Sequence, residues 1–136
     1  MSIETCHLNL EPLLPGTVVE SDRGLYRHVG LVTERHVKGE RSVLSFSADA
    51  GGLLEEPLSA FARGGQIAVK GFPGELSPSA VMARARSAIN TKYSWLSFNC
   101  EHFVRFAHGL KLKSPQIDSL FGVAALAAVF LLLVRR

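Results

Sequence analysis

The chain has 136 residues, enough for one small domain with its own core, and 47% hydrophobic content with 12 glycines excludes a disordered polymer. Fifteen Lys and Arg stand against 12 Asp and Glu, a formal net charge of +3 without a basic run, so no nucleic-acid partner is implied. Two cysteines, Cys6 and Cys100, exclude a disulfide framework, and with no charged-then-apolar leader in the first residues the expected setting is reducing and cytosolic.

Residues 1–11 carry little pattern and are expected as a flexible lead-in. Leu13-Leu14-Pro15-Gly16 is a turn signal, and Thr17-Val18-Val19-Glu20 is a short β-branched strand. After a turn at Ser21–Gly24, Tyr26–Thr33 reads as a second strand with His28, Gly30 and Val32 on one face and Val29, Leu31 and Thr33 on the other. The charged segment Glu34–Arg41 is expected as an exposed hairpin loop that returns through a third strand, Ser42–Ser47. Gly51-Gly52 and Pro57 bracket an expected loop, Leu58–Phe61 a helical turn, and Gln66–Lys70 a fourth strand. Ser77-Pro78 opens a helix with a capping serine and a first-turn proline, and Val81, Met82, Ala85, Ala88 and Ile89 form its inward stripe.

The second helix opens at a cysteine. Counting from Cys100, Phe103, Val104 and Ala107 recur at three, four and seven positions, one buried stripe, with Asn99 as the expected cap and Gly109 as the stop. The unpaired N–H groups and positive dipole end at such a start favour a thiolate. A cysteine nucleophile needs a base, and His28, on the sheet that this helix would cover, is the best on offer although 72 residues away in sequence. His102 is two residues past Cys100, about 200 degrees around a helix, so the pair cannot share a metal and no zinc or other cofactor is expected. His102 is expected to pack behind the site and His108 to lie at the surface. Strands followed by two helices indicate an α+β domain, an antiparallel sheet packed by helices.

Leu25-Tyr26-Arg27-His28 before an apolar strand, and Phe98-Asn99-Cys100-Glu101-His102-Phe103-Val104, resemble the two signature boxes of the lecithin:retinol acyltransferase-like family, which includes the H-rev107-type phospholipase and acyltransferase proteins. Pro15-Gly16, the Pro57–Phe61 segment, the Arg84–Ala88 helix and Ser114-Pro115-Gln116-Ile117 extend the similarity over roughly residues 12–134. The resemblance implies a circularly permuted papain-like fold related to NlpC/P60 peptidases. It implies a thiol that takes an acyl group from a glycerophospholipid as a thioester and passes it to water, an amine, an alcohol or another lipid. Carried over by position, Cys100 is the nucleophile, His28 the general base and later acid, and Tyr26 a candidate oxyanion or positioning group. The departure is in the third strand, where well-known members carry a second histidine and this chain has Ser45. A serine can still hydrogen-bond an imidazole, which makes Ser45 the candidate third member, with His36 substituting only if its loop folded inward.

Leu120–Val134 has no charged or strongly polar side chain and ends on Arg135-Arg136. As a helix it would span about 22 Å against a hydrocarbon core of about 30 Å, a mismatch that snorkelling arginines reduce. The expected organisation is therefore a lead-in at 1–11, a catalytic domain at 12–114, a linker at 115–119 and a single-pass membrane-anchoring helix at 120–134. The catalytic domain is expected in the cytoplasm. Two rivals are a NlpC/P60-type cysteine peptidase or amidase, and a catalytically weak membrane-interaction module that the Ser45 departure would allow.

Overall fold

The computed structural model describes Leu10 and residues 12–111. The lead-in before Leu10, the linker and the expected apolar helix at 120–134 lie outside the described residues. Chain order is β1 (Val18–Asp22), β2 (Arg27–Val37), β3 (Glu40–Ser47), β4 (Gly52–Pro57), α1 (Leu58–Ala62), β5 (Ile67–Gly71), α2 (Pro78–Ser87), a 3-10 turn (Ala88–Asn90) and α3 (Cys100–Ala107). The strands pair antiparallel in the spatial order β4-β3-β2-β1-β5, an α+β domain as the pattern requires.

Strand alternation supplies both faces of the sheet. Val18, Val29, Leu31, Leu44 and Phe46 point to one side, where α2 and α3 cover them with Val81, Met82, Ala85, Phe103, Val104 and Ala107. Val19, Val32 and Val43 point to the other, under Phe61 of α1 and under Leu10, which is only 2% exposed. The buried Arg41 ties that N-terminal segment down, its Nη1 donating to the Leu10 carbonyl at 2.9 Å and its Nη2 to the Leu13 carbonyl at 2.9 Å. On the helical side Arg86 reaches from α2 to Glu55 at 2.9 Å and to Glu34 at 2.8 Å, bridging the helix to β4 and β2.

Three local readings change in the structure. The charged segment at 34–41 is not a loop: β2 runs to Val37, β3 starts at Glu40, and Lys38-Gly39 turn between them with positive φ of 51° and 78°. The stretch bracketed by Gly52 and Pro57 is an edge strand that pairs with β3 from Ser47↔Gly52 to Ser42↔Pro57. Its sequence, Gly-Leu-Leu-Glu-Glu-Pro, has low intrinsic β-propensity, and the pairing with β3 overrides that. Ile89 leaves the α2 stripe, because the helix tightens to 3-10 at Ala88 and turns that side chain out to 71% exposure.

Candidate active site

Asn99 and His102 build the start of α3 together. The Asn99 Oδ1 accepts from the N–H groups of Glu101 at 3.0 Å and His102 at 3.1 Å, while the Asn99 N–H donates to His102 Nδ1 at 3.3 Å, a closed capping box. The Asn99 Nδ2 donates to the Trp95 carbonyl at 3.0 Å, fastening the Ser94–Phe98 loop to the same point. His102 is thus a buried structural group, as its helical position suggested. His108, expected at the surface, is 2% exposed: its Nδ1 accepts from the Gly74 N–H at 3.3 Å and its Nε2 donates to the Gly16 carbonyl at 2.7 Å.

That frame sets Cys100 on the inner side of the first turn, 6% exposed. Its Sγ accepts from the N–H of Val29 and is approached by the N–H groups of Cys100 and Glu101. Burial nevertheless dominates and, with the Glu101 charge, pushes the thiol above its ordinary value despite those donors. The thiolate expected from the helix start alone is therefore not the resting form at neutral pH.

Val29 follows His28, so the sulfur rests on the peptide that joins them. His28 itself lies on the opposite face, 6% exposed, its ring 5.4 Å from that of Phe61 and tilted by 34°. Gly30 makes that stacking feasible: a Cβ there would stand 3.1 Å from Phe61 Cε2 and 2.7 Å from Val43 Cγ1. Among the described residues the imidazole makes no hydrogen bond to the thiol. At His28 the strand is unpaired on its β3 side, because β2 pairs with β3 only from Gly30↔Ser45 onward, whereas β3 continues to Ser47 against β4. Burial first, then the cations Arg23 and Arg63, bring the His28 pKa down to about 4. The resting pair is a neutral thiol and a neutral imidazole, the latter in the form that accepts a proton.

Ser45 is fully buried opposite Gly30, on the His28 face and one diagonal step from it. Its Oγ has no hydrogen-bond partner among the described residues. A buried hydroxyl without a partner costs roughly 1–3 kcal/mol. Ser45→Ala is therefore expected to raise stability by about 1 kcal/mol in urea unfolding while lowering turnover several-fold, the signature of a group kept for orientation. A variant equally active and more stable would make Ser45 an ordinary strand residue. His36, paired with Arg41 beside the hairpin turn, is eight residues up β2 from His28, about 26 Å along the strand, and does not reach the site.

Tyr26 is half-buried and meets Trp95 edge-on at 6.2 Å between centroids. Trp95 in turn packs edge-on against Tyr93 at 5.9 Å. Tyr93 was not singled out by the sequence, yet its phenol is pushed up to about 12 by burial and then by the neighbouring Cys100 and Tyr26, which puts it beside both. Only its closeness to Cys100 in sequence hinted at this. An open groove on this side is lined by Glu20, Asp22, Gly24, Leu25, Tyr26, Arg27 and Glu101. Leu25 of this groove is wholly exposed, and Trp95, packed on Tyr26, is also exposed. Among the described residues no cluster of His, Cys, Asp and Glu is placed to hold a metal ion.

A family model described as lecithin retinol acyltransferase matches residues 11–109, a span that holds the sheet and the three helices of the described residues and both signature boxes. A comparison with curated proteins finds no match.

Proposed function

The chain belongs to the lecithin retinol acyltransferase family, and on that premise we propose that it is a thiol-dependent phospholipid acyl hydrolase and acyltransferase working through an acyl thioester on Cys100. Family membership supports an acyltransferase or phospholipase type of enzyme; the cysteine mechanism is our reading. The observation that carries it is the buried helix-start thiol resting on the N–H of Val29, the peptide next to the neutral His28.

In this mechanism the imidazole comes round the side of β2 that is unpaired with β3 at His28 and takes the Cys100 proton as Sγ attacks the ester carbonyl. Catalytic hydrogen bonds often tighten only once substrate is present. The N–H of Cys100, the one at the start of α3 that Asn99 does not take, would stabilise the developing oxyanion with Tyr26 at the rim. Collapse breaks the ester C–O bond, and the imidazolium returns its proton to the leaving alkoxide, freeing a lysophospholipid. Water, an amine, an alcohol or a lysolipid hydroxyl then gives a proton to His28 and attacks the thioester, restoring the thiol. The permuted papain-like order, base before nucleophile in the chain, belongs to the same proposal.

Exposed Leu25 in the groove and exposed Trp95 beside Tyr26 suit a substrate that lies in a bilayer. Among the described residues no helix is long and apolar enough to cross a membrane. We extend the proposal to 120–134 as a single-pass anchor that holds the domain at a cytoplasmic membrane face. A peptidase would use the same thiol, but the family match favours the lipid ester.

Incubation with phosphatidylcholine followed by intact mass is the direct test: an added acyl mass on Cys100, labile to hydroxylamine, is expected, and cleavage without it would remove the thioester. The pH profile is a second check. With His28 neutral down to about pH 4, kcat/KM is expected to hold from pH 7 to about 5 and fall only below that; an acid limb at the ordinary histidine value would show that the imidazole is not buried this way. The same shift makes stability fall with acid. An unfolded histidine titrates near 6.5, so between 6.5 and 4 the unfolded chain binds the extra proton, and up to about 3 kcal/mol is lost as pH drops through that window.

A further inference from the structure

Two guanidiniums act on the His28 face, and the mechanism above uses neither. Arg23, in the turn between β1 and β2, lies over the Phe61 ring at 5.6 Å, the same ring on which His28 stacks at 5.4 Å. Its Nη1 is buried and has no hydrogen-bond partner among the described residues. Arg63 is near enough for the two cations to repel one another, and both act electrostatically on His28.

Arg63 caps the end of α1 in the left-handed region, φ 48°, with Gly64 and Gly65 following. Glycine is the usual occupant of such a cap, so an arginine there sits in a conformation that costs about 1 kcal/mol or more, and strain of this kind gathers at ligand sites. The carboxylates nearby only partly offset the two cations: Asp49 meets Arg63 at 2.8 Å on the outside, and burial raises the Glu56 carboxyl toward its neutral form against the pull of both arginines.

We propose that Arg23 and Arg63 form an anion site that holds the phosphodiester of the acyl donor beside His28. This rests on the phospholipid reading above and deepens it, since it names the part of the substrate that fixes the ester at the thiol. Guanidiniums bind phosphate oxygens in pairs of charge-assisted hydrogen bonds, and the Nη1 of Arg23 has that donor capacity unspent among the described residues.

The test uses the full chain in nonionic detergent and has a binding arm and a kinetic arm. In the binding arm, nitrogen-15-labelled protein is titrated with glycerophosphocholine and, separately, with inorganic phosphate, following the arginine Nε–Hε resonances. Saturable shifts with glycerophosphocholine that disappear in Arg23→Gln and in Arg63→Gln support the site. Shifts with inorganic phosphate alone, or with neither probe, overturn it. In the kinetic arm, the ratio of kcat/KM for dihexanoylphosphatidylcholine to that for dihexanoylglycerol, which lacks the phosphate, is expected to fall at least tenfold in each variant. An unchanged ratio overturns the proposal. Arg63 is exposed, so its variant keeps the test open if Arg23→Gln fails to fold. If wild-type protein cleaves neither ester, the acyl-transfer reading fails, and the binding arm still judges the anion site.

Discussion

Cys100→Ser is expected to reduce phospholipid cleavage to background and to abolish the acyl adduct, and His28→Ala to lower kcat/KM by about 100- to 10,000-fold. The serine hydroxyl has almost the shape of the thiol but is far harder to deprotonate, and the base proposed for it is itself weak, with a pKa of about 4. A weak base can still deliver the thiol, because transfer of the proton accompanies attack and the more nucleophilic sulfur needs less help. Cys6→Ser serves as the control for nonspecific thiol loss and is expected to change nothing. The His28 variant has a second readout independent of chemistry: the loss of stability between pH 6.5 and 4 is expected to flatten, since the buried imidazole that must be charged is gone. Activity that survives Cys100→Ser would end the thiol mechanism, and a His28→Ala enzyme with near-normal kcat/KM would remove the base.

Phe46→Ala is expected to cost about 3–5 kcal/mol, a large part of the roughly 5–15 kcal/mol by which a domain of this size is stable. Phe46 on β3 has no exposed surface. Its ring is stacked with Phe103 at 5.7 Å and with Tyr93 at 6.0 Å, and Phe98 meets it edge-on at 4.8 Å. Phe103 belongs to α3, and Tyr93 and Phe98 flank the loop that delivers Cys100, so one cavity loosens the sheet, the helix and the nucleophile's approach together. The urea midpoint should fall sharply, with Phe46→Leu losing much less because most of the volume remains. Activity is expected to drop with stability, since Tyr93 and Phe98, which flank the approach to Cys100, lose their packing partner. A loss below about 1 kcal/mol for Phe46→Ala would mean that the aromatic cluster is not the centre of this core.

The parts of the molecule legible in the chain are those set by near neighbours. Alternation placed His28, Gly30 and Val32 against Val29, Leu31 and Thr33, and the two core clusters divide along that line. Ser77-Pro78 starts α2 with the serine accepting from Ala80 N–H at 3.2 Å, and Asn99 caps α3, because capping depends on side chains two or three residues from the groups they satisfy. The apolar stripe from Cys100 to Ala107 is buried on the side that its spacing defines. Strand β4 was not legible, since Leu53 to Glu56 become a strand only by pairing with β3, and neither was the hairpin's length, which depends on how far β2 and β3 keep register.

By itself the sequence determined on which local element each candidate stands: Cys100 at a helix start, His28 on a strand, Ser45 one hairpin later. Only the tertiary structure decided their state and company. It set the thiol on the Val29 peptide, buried both Cys100 and His28 so that each rests uncharged, left the Ser45 hydroxyl without a partner, and drew Tyr93, Arg23 and Arg63 to the site from positions with no motif of their own. The reason is physical: helix starts and strand faces are settled by interactions a few residues long, whereas desolvation and charge depend on every atom packed around a group, whatever its distance along the chain.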